Sequence, residues 1–195
     1  ILDTCHRFLK LGLPTEIDAL KLDGRRKDIF PMASTIRFAF PERGNLPACE
    51  VIWRDGVDNP PPLPPEMEGM SLPKNGKIIY SKELVFTGET HERTLSIVPK
   101  AKAEALRTKL PNYKSKETRN HYVNFLQACK GETKCKSTMA VGAPLTQVFL
   151  LGVIAQRLGG KLVFDPATKR ITNNEEANAL LNPPPRKGWE EYYKI

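Results

Sequence analysis

The hydrophobic pattern changes character once along the chain, at Pro99. Apolar residues at positions 1, 2, 5, 8 and 9 have helical spacing and predict a helix over Ile1–Leu11. Six short apolar runs then predict strands at Thr15–Leu22, Met32–Phe40, Ala48–Arg54, Lys77–Ser81, Glu83–Thr87 and Leu95–Val98. The remainder predicts helices at Lys100–Leu110, Thr118–Lys130, Pro144–Leu158 and Glu175–Leu181, with a hairpin formed by Lys161–Phe164 and Arg170–Thr172.

This order of elements predicts an α+β fold with an open, mostly antiparallel β-sheet and helices packed on one face. Consecutive strands without intervening helices pair antiparallel, so we expect one sheet over Thr15–Val98. The second strand would direct two sets of side chains to opposite faces. The core set is Met32, Ile36, Phe38 and Phe40, and the opposite set is Thr35, Arg37 and Ala39. The helix-free face is expected to pair with a second copy of the chain.

Composition and charge limit the class of protein. The chain has 195 residues, 40% of them hydrophobic and 27% charged, which is typical of a folded domain. We interpret residues 1–195 as a single domain, and no apolar run is long enough to predict a membrane span. The net charge of +8 is spread along the chain and interleaved with acidic residues, so nucleic-acid binding is not predicted.

Few residues form a recognisable chemical pattern. The sequence contains no glycine-rich phosphate-binding motif, and its four cysteines lack metal-ligand spacing, so neither a bound cofactor nor a metal is predicted. Arg7 follows Asp3 at a spacing of four on the first helix, which also suits a simple ion pair. His121 begins a helix and is either a surface residue or a polar group in a pocket. The sequence therefore contains no complete set of catalytic residues.

The C-terminal third carries a resemblance. The segments that carry it are HYVNFLQACKG at 121–131, APLT at 143–146, LGVIAQRLG at 151–159, KLVFDP at 161–166, TNNEEAN at 172–178 and RKGW at 186–189. In this order they resemble the C-terminal domain of bacterial Gfo/Idh/MocA oxidoreductases. Ile1–Asp3 is similar to the end of that family's H-x-x-D motif, and Trp53–Gly56 to one of its strand ends. Arg54, Val57 and Asn182–Pro185 depart from the family pattern.

The resemblance implies a two-domain, NAD(P)-dependent oxidoreductase that acts on a sugar or sugar derivative. Its N-terminal Rossmann domain would hold the cofactor, and this chain would supply substrate binding and oligomerisation. The family's catalytic Lys belongs to the Rossmann domain and its catalytic His would directly precede Ile1, so the chain alone is expected to be inactive. Asp3, Arg7 and His121 are then candidates for the substrate pocket, with Asp3 orienting the missing His or contacting a sugar hydroxyl.

Two alternatives stay open. The chain could be a non-catalytic α+β module for protein interaction or dimerisation. Alternatively, the parent enzyme could use NAD transiently to cleave glycosides. The expected partners are the chain's own Rossmann domain, a second copy bound through the sheet face, and a sugar-like small molecule. The sequence predicts no compartment.

Overall fold

The computed structural model describes residues 1–90, 95–109 and 120–193. Its helices are α1 (Leu2–Phe8), α2 (Lys100–Leu106), α3 (His121–Cys129), α4 (Met139–Leu158) and α5 (Glu175–Leu181). Its strands are β1 (Glu16–Asp23), β2 (Ala33–Phe40), β3 (Cys49–Gly56), β4 (Gly76–Tyr80), β5 (Val85–Glu89), β6 (Ser96–Val98), β7 (Gly160–Asp165) and β8 (Arg170–Ile171). The predicted α+β class is confirmed. Leu110, Thr118 and Arg119, which the sequence assigned to helices, lie outside the described residues.

The strands form two sheets, and every pairing between them is antiparallel. One sheet has five strands in the order β3-β2-β1-β7-β8, and the other has three in the order β4-β5-β6. The prediction of a single sheet over Thr15–Val98 is therefore wrong. The physical reason is that β7 pairs with the free edge of β1, while the proline-rich segment after β3 leads into a separate sheet.

The chain correspondingly divides into two compact units. The three-stranded unit comprises Ile1–Lys10 and Pro61–Ala143, and the five-stranded unit comprises Leu11–Pro60 and Pro144–Ile195. In the three-stranded unit, Met67, Val85 and Val98 form a small buried core against which Leu72 and Ile78 pack. The assignment of residues 1–195 to one domain stays a prediction.

One face of the five-stranded sheet packs against α4. Ile36, Phe38 and Phe40 are buried there, as the alternation predicts. Met32 was wrongly placed with them: its side chain is 73% exposed because β2 begins only at Ala33. The buried side of α4 is formed by Val148, Leu151, Gly152, Ile154 and Ala155.

Helix α4 begins at Met139 and includes Pro144, which the sequence placed in the first turn. It is the one helix, among those in the described ranges, that is long and apolar enough to cross a membrane by length and composition, with a mean hydropathy of 1.6. From Pro144 onward one side of α4 packs on the sheet, where Trp53 meets Phe149 edge-on at 6.2 Å between ring centroids, while Leu150 is exposed.

A polar network joins α4 to two strands. The Asp55 carboxylate accepts hydrogen bonds from the Ser34 backbone N–H at 2.9 Å, the Ser34 hydroxyl at 2.6 Å and the Trp53 indole at 3.2 Å. The Gln156 amide donates to the same carboxylate at 3.0 Å and to the Ser34 hydroxyl at 2.7 Å. Charge-assisted bonds of this kind are the stronger class of hydrogen bond, so the network fixes the position of α4.

The chain leaves β3 through a turn that tolerates little change. Gly56 has a φ of 87°, and an added Cβ would lie 2.1 Å from the Met32 carbonyl oxygen. Three residues later the buried Asn59 amide donates to the Ser34 carbonyl at 2.7 Å and to the Asp55 carbonyl at 3.1 Å. The turn after β3 is therefore held against β2.

Substitution of two glycines within α4 tests how the helix packs. An added Cβ at Gly152 would lie 2.8 Å from the Phe38 ring, which is buried, whereas one at Gly142 would meet nothing within 4 Å. We expect Gly152→Ala to lower the free energy of unfolding by about 1–3 kcal/mol through overpacking. Gly142→Ala should raise it by roughly 0.5–1 kcal/mol, since Ala favours the helix. Denaturant unfolding followed by circular dichroism measures both. Equal stability of the two variants would contradict this packing.

Candidate functional site

The three-stranded unit contains a surface cavity of about 340 Å³. Helix α3 and the loop that follows it supply the walls. The lining residues are His121, Tyr122, Asn124, Phe125, Leu126, Cys135 and Ser137.

The N-cap of α3 places His121 at the first position of the helix. Asn120 is the N-cap, and its side-chain oxygen accepts hydrogen bonds from the backbone N–H groups of Tyr122 at 3.0 Å and Val123 at 3.1 Å. The helix therefore begins at His121. The imidazole lies against the Tyr122 ring with 4.3 Å between centroids, so the two rings form one side of the cavity.

Asn124 attaches the opposite wall to the helix. Its side-chain amide donates a hydrogen bond to the Lys134 carbonyl at 3.2 Å, and its side-chain oxygen accepts one from the Lys136 backbone N–H at 2.9 Å. These two bonds hold the backbone on both sides of Cys135, whose side chain lines the cavity. Asn124 thus positions the loop that carries Cys135 and Ser137.

The lining is mostly apolar surface, and none of the described residues that form it is Asp, Glu, Lys or Arg. His121 and Ser137 can donate and accept hydrogen bonds, whereas the Asn124 side chain is already bonded to the loop. Tyr122, Phe125 and Leu126 provide rings and an aliphatic side chain, and each of these three residues is more than half exposed. Such a surface suits an uncharged ligand that has both hydroxyl groups and C–H faces.

Comparison with protein families identifies this segment. Residues 83–191 match the Gfo/Idh/MocA profile described as "Oxidoreductase family, C-terminal alpha/beta domain". The chain belongs to this family. The match includes every residue that lines the cavity. Searches of curated proteins and of solved structures returned no match.

The family assignment bears on the expected partner. A Gfo/Idh/MocA C-terminal domain implies an N-terminal partner domain, in agreement with the resemblance seen in the sequence. The described residues of this Gfo/Idh/MocA domain also contain no group of three or more His, Cys, Asp or Glu that could hold a metal ion.

The three candidate residues from the sequence are not gathered at the cavity. His121 lines it, whereas Asp3 and Arg7 are exposed residues of α1 that do not. Within the described residues, no ion pair joins Asp3 to Arg7. Their assignment to a substrate pocket stays a prediction. On the same helix burial raises the pKa of the Cys5 thiol, while the charge of Lys77 partly lowers it.

Sequence reasoning missed most of the cavity. Asn124 follows His121 by three positions and so shares its helix face, a spacing that could have identified it. Cys135 and Ser137 reach the cavity only because the loop folds back onto α3 through Asn124, and no local pattern signals that contact.

Removal of the Asn124 amide tests its role in the cavity. We expect Asn124→Ala to speed hydrogen exchange of the Lys136 backbone amide roughly fivefold, because a hydrogen bond worth about 1 kcal/mol is lost. Asn124→Asp keeps an acceptor for that N–H and should show a smaller increase. Gln127→Ala, on α3 but outside the cavity, is the matched control. Unchanged exchange of Lys136 in Asn124→Ala would contradict the role given to Asn124.

Proposed function

We propose that this chain is the substrate-binding and oligomerisation domain of an NAD(P)-dependent oxidoreductase that acts on a sugar or sugar derivative. The observation that carries the proposal is the position of the uncharged His121 cavity inside the segment that matches the Gfo/Idh/MocA family. A sugar has hydroxyl groups for His121 and Ser137 and C–H faces for the rings of Tyr122 and Phe125.

The residues of this chain support assigning cofactor binding and substrate binding to different domains. The chain has no glycine-rich strand–turn–helix segment to hold a dinucleotide, so its residues do not fit NAD(P). We assign the cofactor, and with it hydride transfer, to the N-terminal domain. The work of this chain is to bind and orient the substrate hydroxyl groups and to exclude water from the apolar side of the ring.

The outer face of the five-stranded sheet supports the proposed oligomerisation. The Arg37 guanidinium donates hydrogen bonds to three carboxylates. Its Nε lies 2.9 Å from Asp18, its Nη2 lies 2.9 Å from Glu16 and its Nη1 lies 2.5 Å from Glu50. These ion pairs give an ordered polar face that a second copy could meet. Arg37 itself is a poor probe because three carboxylates depend on it.

Ile52 lies on that same outer face, opposite Arg37 in the β2–β3 register, and is 43% exposed. Ile52→Asp should therefore weaken a dimer formed through this face without breaking an ion pair. Sedimentation velocity over a range of concentrations compares it with the wild type. A wild-type chain that stays monomeric throughout would remove the oligomerisation part of the proposal.

Calorimetric titration tests the substrate-binding part. We expect saturable binding of at least one neutral hexose or inositol, at least about tenfold weaker in His121→Ala because a hydrogen bond and ring contact are lost. Lys130→Ala, next to α3 but outside the cavity, should bind as the wild type does. NADH should give no saturable heat. Saturable NADH binding, or sugar binding unchanged in His121→Ala, would contradict the assignment.

A further inference from the structure

The loop between β1 and β2 begins and ends at paired positions of the five-stranded sheet. The last residue pair of the two strands is Asp23 and Ala33, and the Met32 backbone N–H donates to the Asp23 carbonyl at 2.8 Å. Residues 24–31 lie between these two paired ends. The loop sequence is GRRKDIFP, followed by Met32. We name residues 24–32 the β1–β2 loop.

Three large apolar side chains in this loop face solvent. Ile29 is 53% exposed, Phe30 is 62% exposed and Met32 is 73% exposed. Single exposed apolar residues are ordinary, but three within four positions of one loop form an apolar patch. None of the three lines the cavity on α3. The patch and the candidate substrate site therefore have no residue in common.

Cationic side chains accompany the apolar ones. The loop contains Arg25, Arg26 and Lys27 and a single acid, Asp28. The Arg25 guanidinium lies against Gly159 at the C-terminal end of α4, since a Cβ added there would be 2.5 Å from its Nη1. Arg26 and Asp28 are 3.9 Å apart and both at least 70% exposed, so their pairing neutralises little charge.

The composition of the exposed loop indicates its partner. Residues 24–30 and Met32 are all exposed, so apolar and cationic side chains face solvent together. A bilayer interface accepts exposed apolar side chains, and its anionic headgroups attract the adjacent cations. The chain's net charge of +8 also attracts it to an anionic bilayer from a longer distance.

We propose that the β1–β2 loop is a peripheral attachment site for an anionic phospholipid surface, with Ile29, Phe30 and Met32 entering the interface and Arg26 and Lys27 meeting the headgroups. Two cations and three half-exposed side chains give weak, salt-sensitive binding, which a multimeric protein would strengthen. The proposal does not depend on the cavity or on the substrate.

Vesicle co-sedimentation of the full chain tests this proposal. We expect the wild type to sediment with vesicles of phosphatidylcholine and phosphatidylglycerol, to release at high salt, and to leave pure phosphatidylcholine vesicles unbound. Arg26→Glu/Lys27→Glu should weaken binding by about tenfold or more, and Phe30→Ser several-fold. Arg186→Glu/Lys187→Glu repeats the charge change and Leu150→Ser repeats the apolar loss elsewhere on the surface, and both should bind as the wild type does.

Three outcomes would overturn the proposal. The first is no sedimentation with anionic vesicles. The second is an equal loss of binding in the charge-matched control, which would show a general effect of net charge. The third is self-association that Phe30→Ser abolishes without vesicle binding, which would identify the loop as a contact between copies of the chain.

Discussion

The five-stranded unit depends on the Asp55 carboxylate, which receives hydrogen bonds from β2, from β3 and from α4. Gln156 reaches this carboxylate from a position 101 residues away along the chain, so the network closes a long loop at a defined place. The apolar fit of Gly152 against Phe38 depends on that placement. Removal of Asp55 would leave several partly buried donors without an acceptor, which costs more than the loss of any one apolar contact nearby.

Asn124 has the equivalent role in the three-stranded unit. One side-chain amide makes two hydrogen bonds to a loop and thereby brings Cys135 and Ser137 into a cavity with His121. His121, the first residue of the segment at 121–131, lines the cavity with its ring, whereas Asn124, the fourth, holds the loop that completes the cavity. This separation explains how an otherwise exposed nine-residue helix can present a defined site.

Local patterns predicted local structure well. The predicted bounds of α5, Glu175–Leu181, are confirmed, and the structure shows that Asn174 caps the helix by accepting from the Ala177 backbone N–H. The burial of Ile36, Phe38 and Phe40 followed from alternation alone. The division into two sheets did not, because it depends on the pairing of β7 with β1 across the chain. The walls of the cavity were missed for the same reason: Asn124 joins two segments that no periodicity connects.

We propose that the His121 cavity binds the substrate and that this Gfo/Idh/MocA domain holds no cofactor of its own. Nuclear magnetic resonance of the isotopically labelled chain, titrated with a neutral hexose or inositol that binds and separately with NADH, tests it most directly. We expect the sugar to shift backbone signals of residues 121–126 and 134–137, and NADH to shift none. Sugar-induced shifts confined to the five-stranded unit, or a defined NADH footprint, would contradict it.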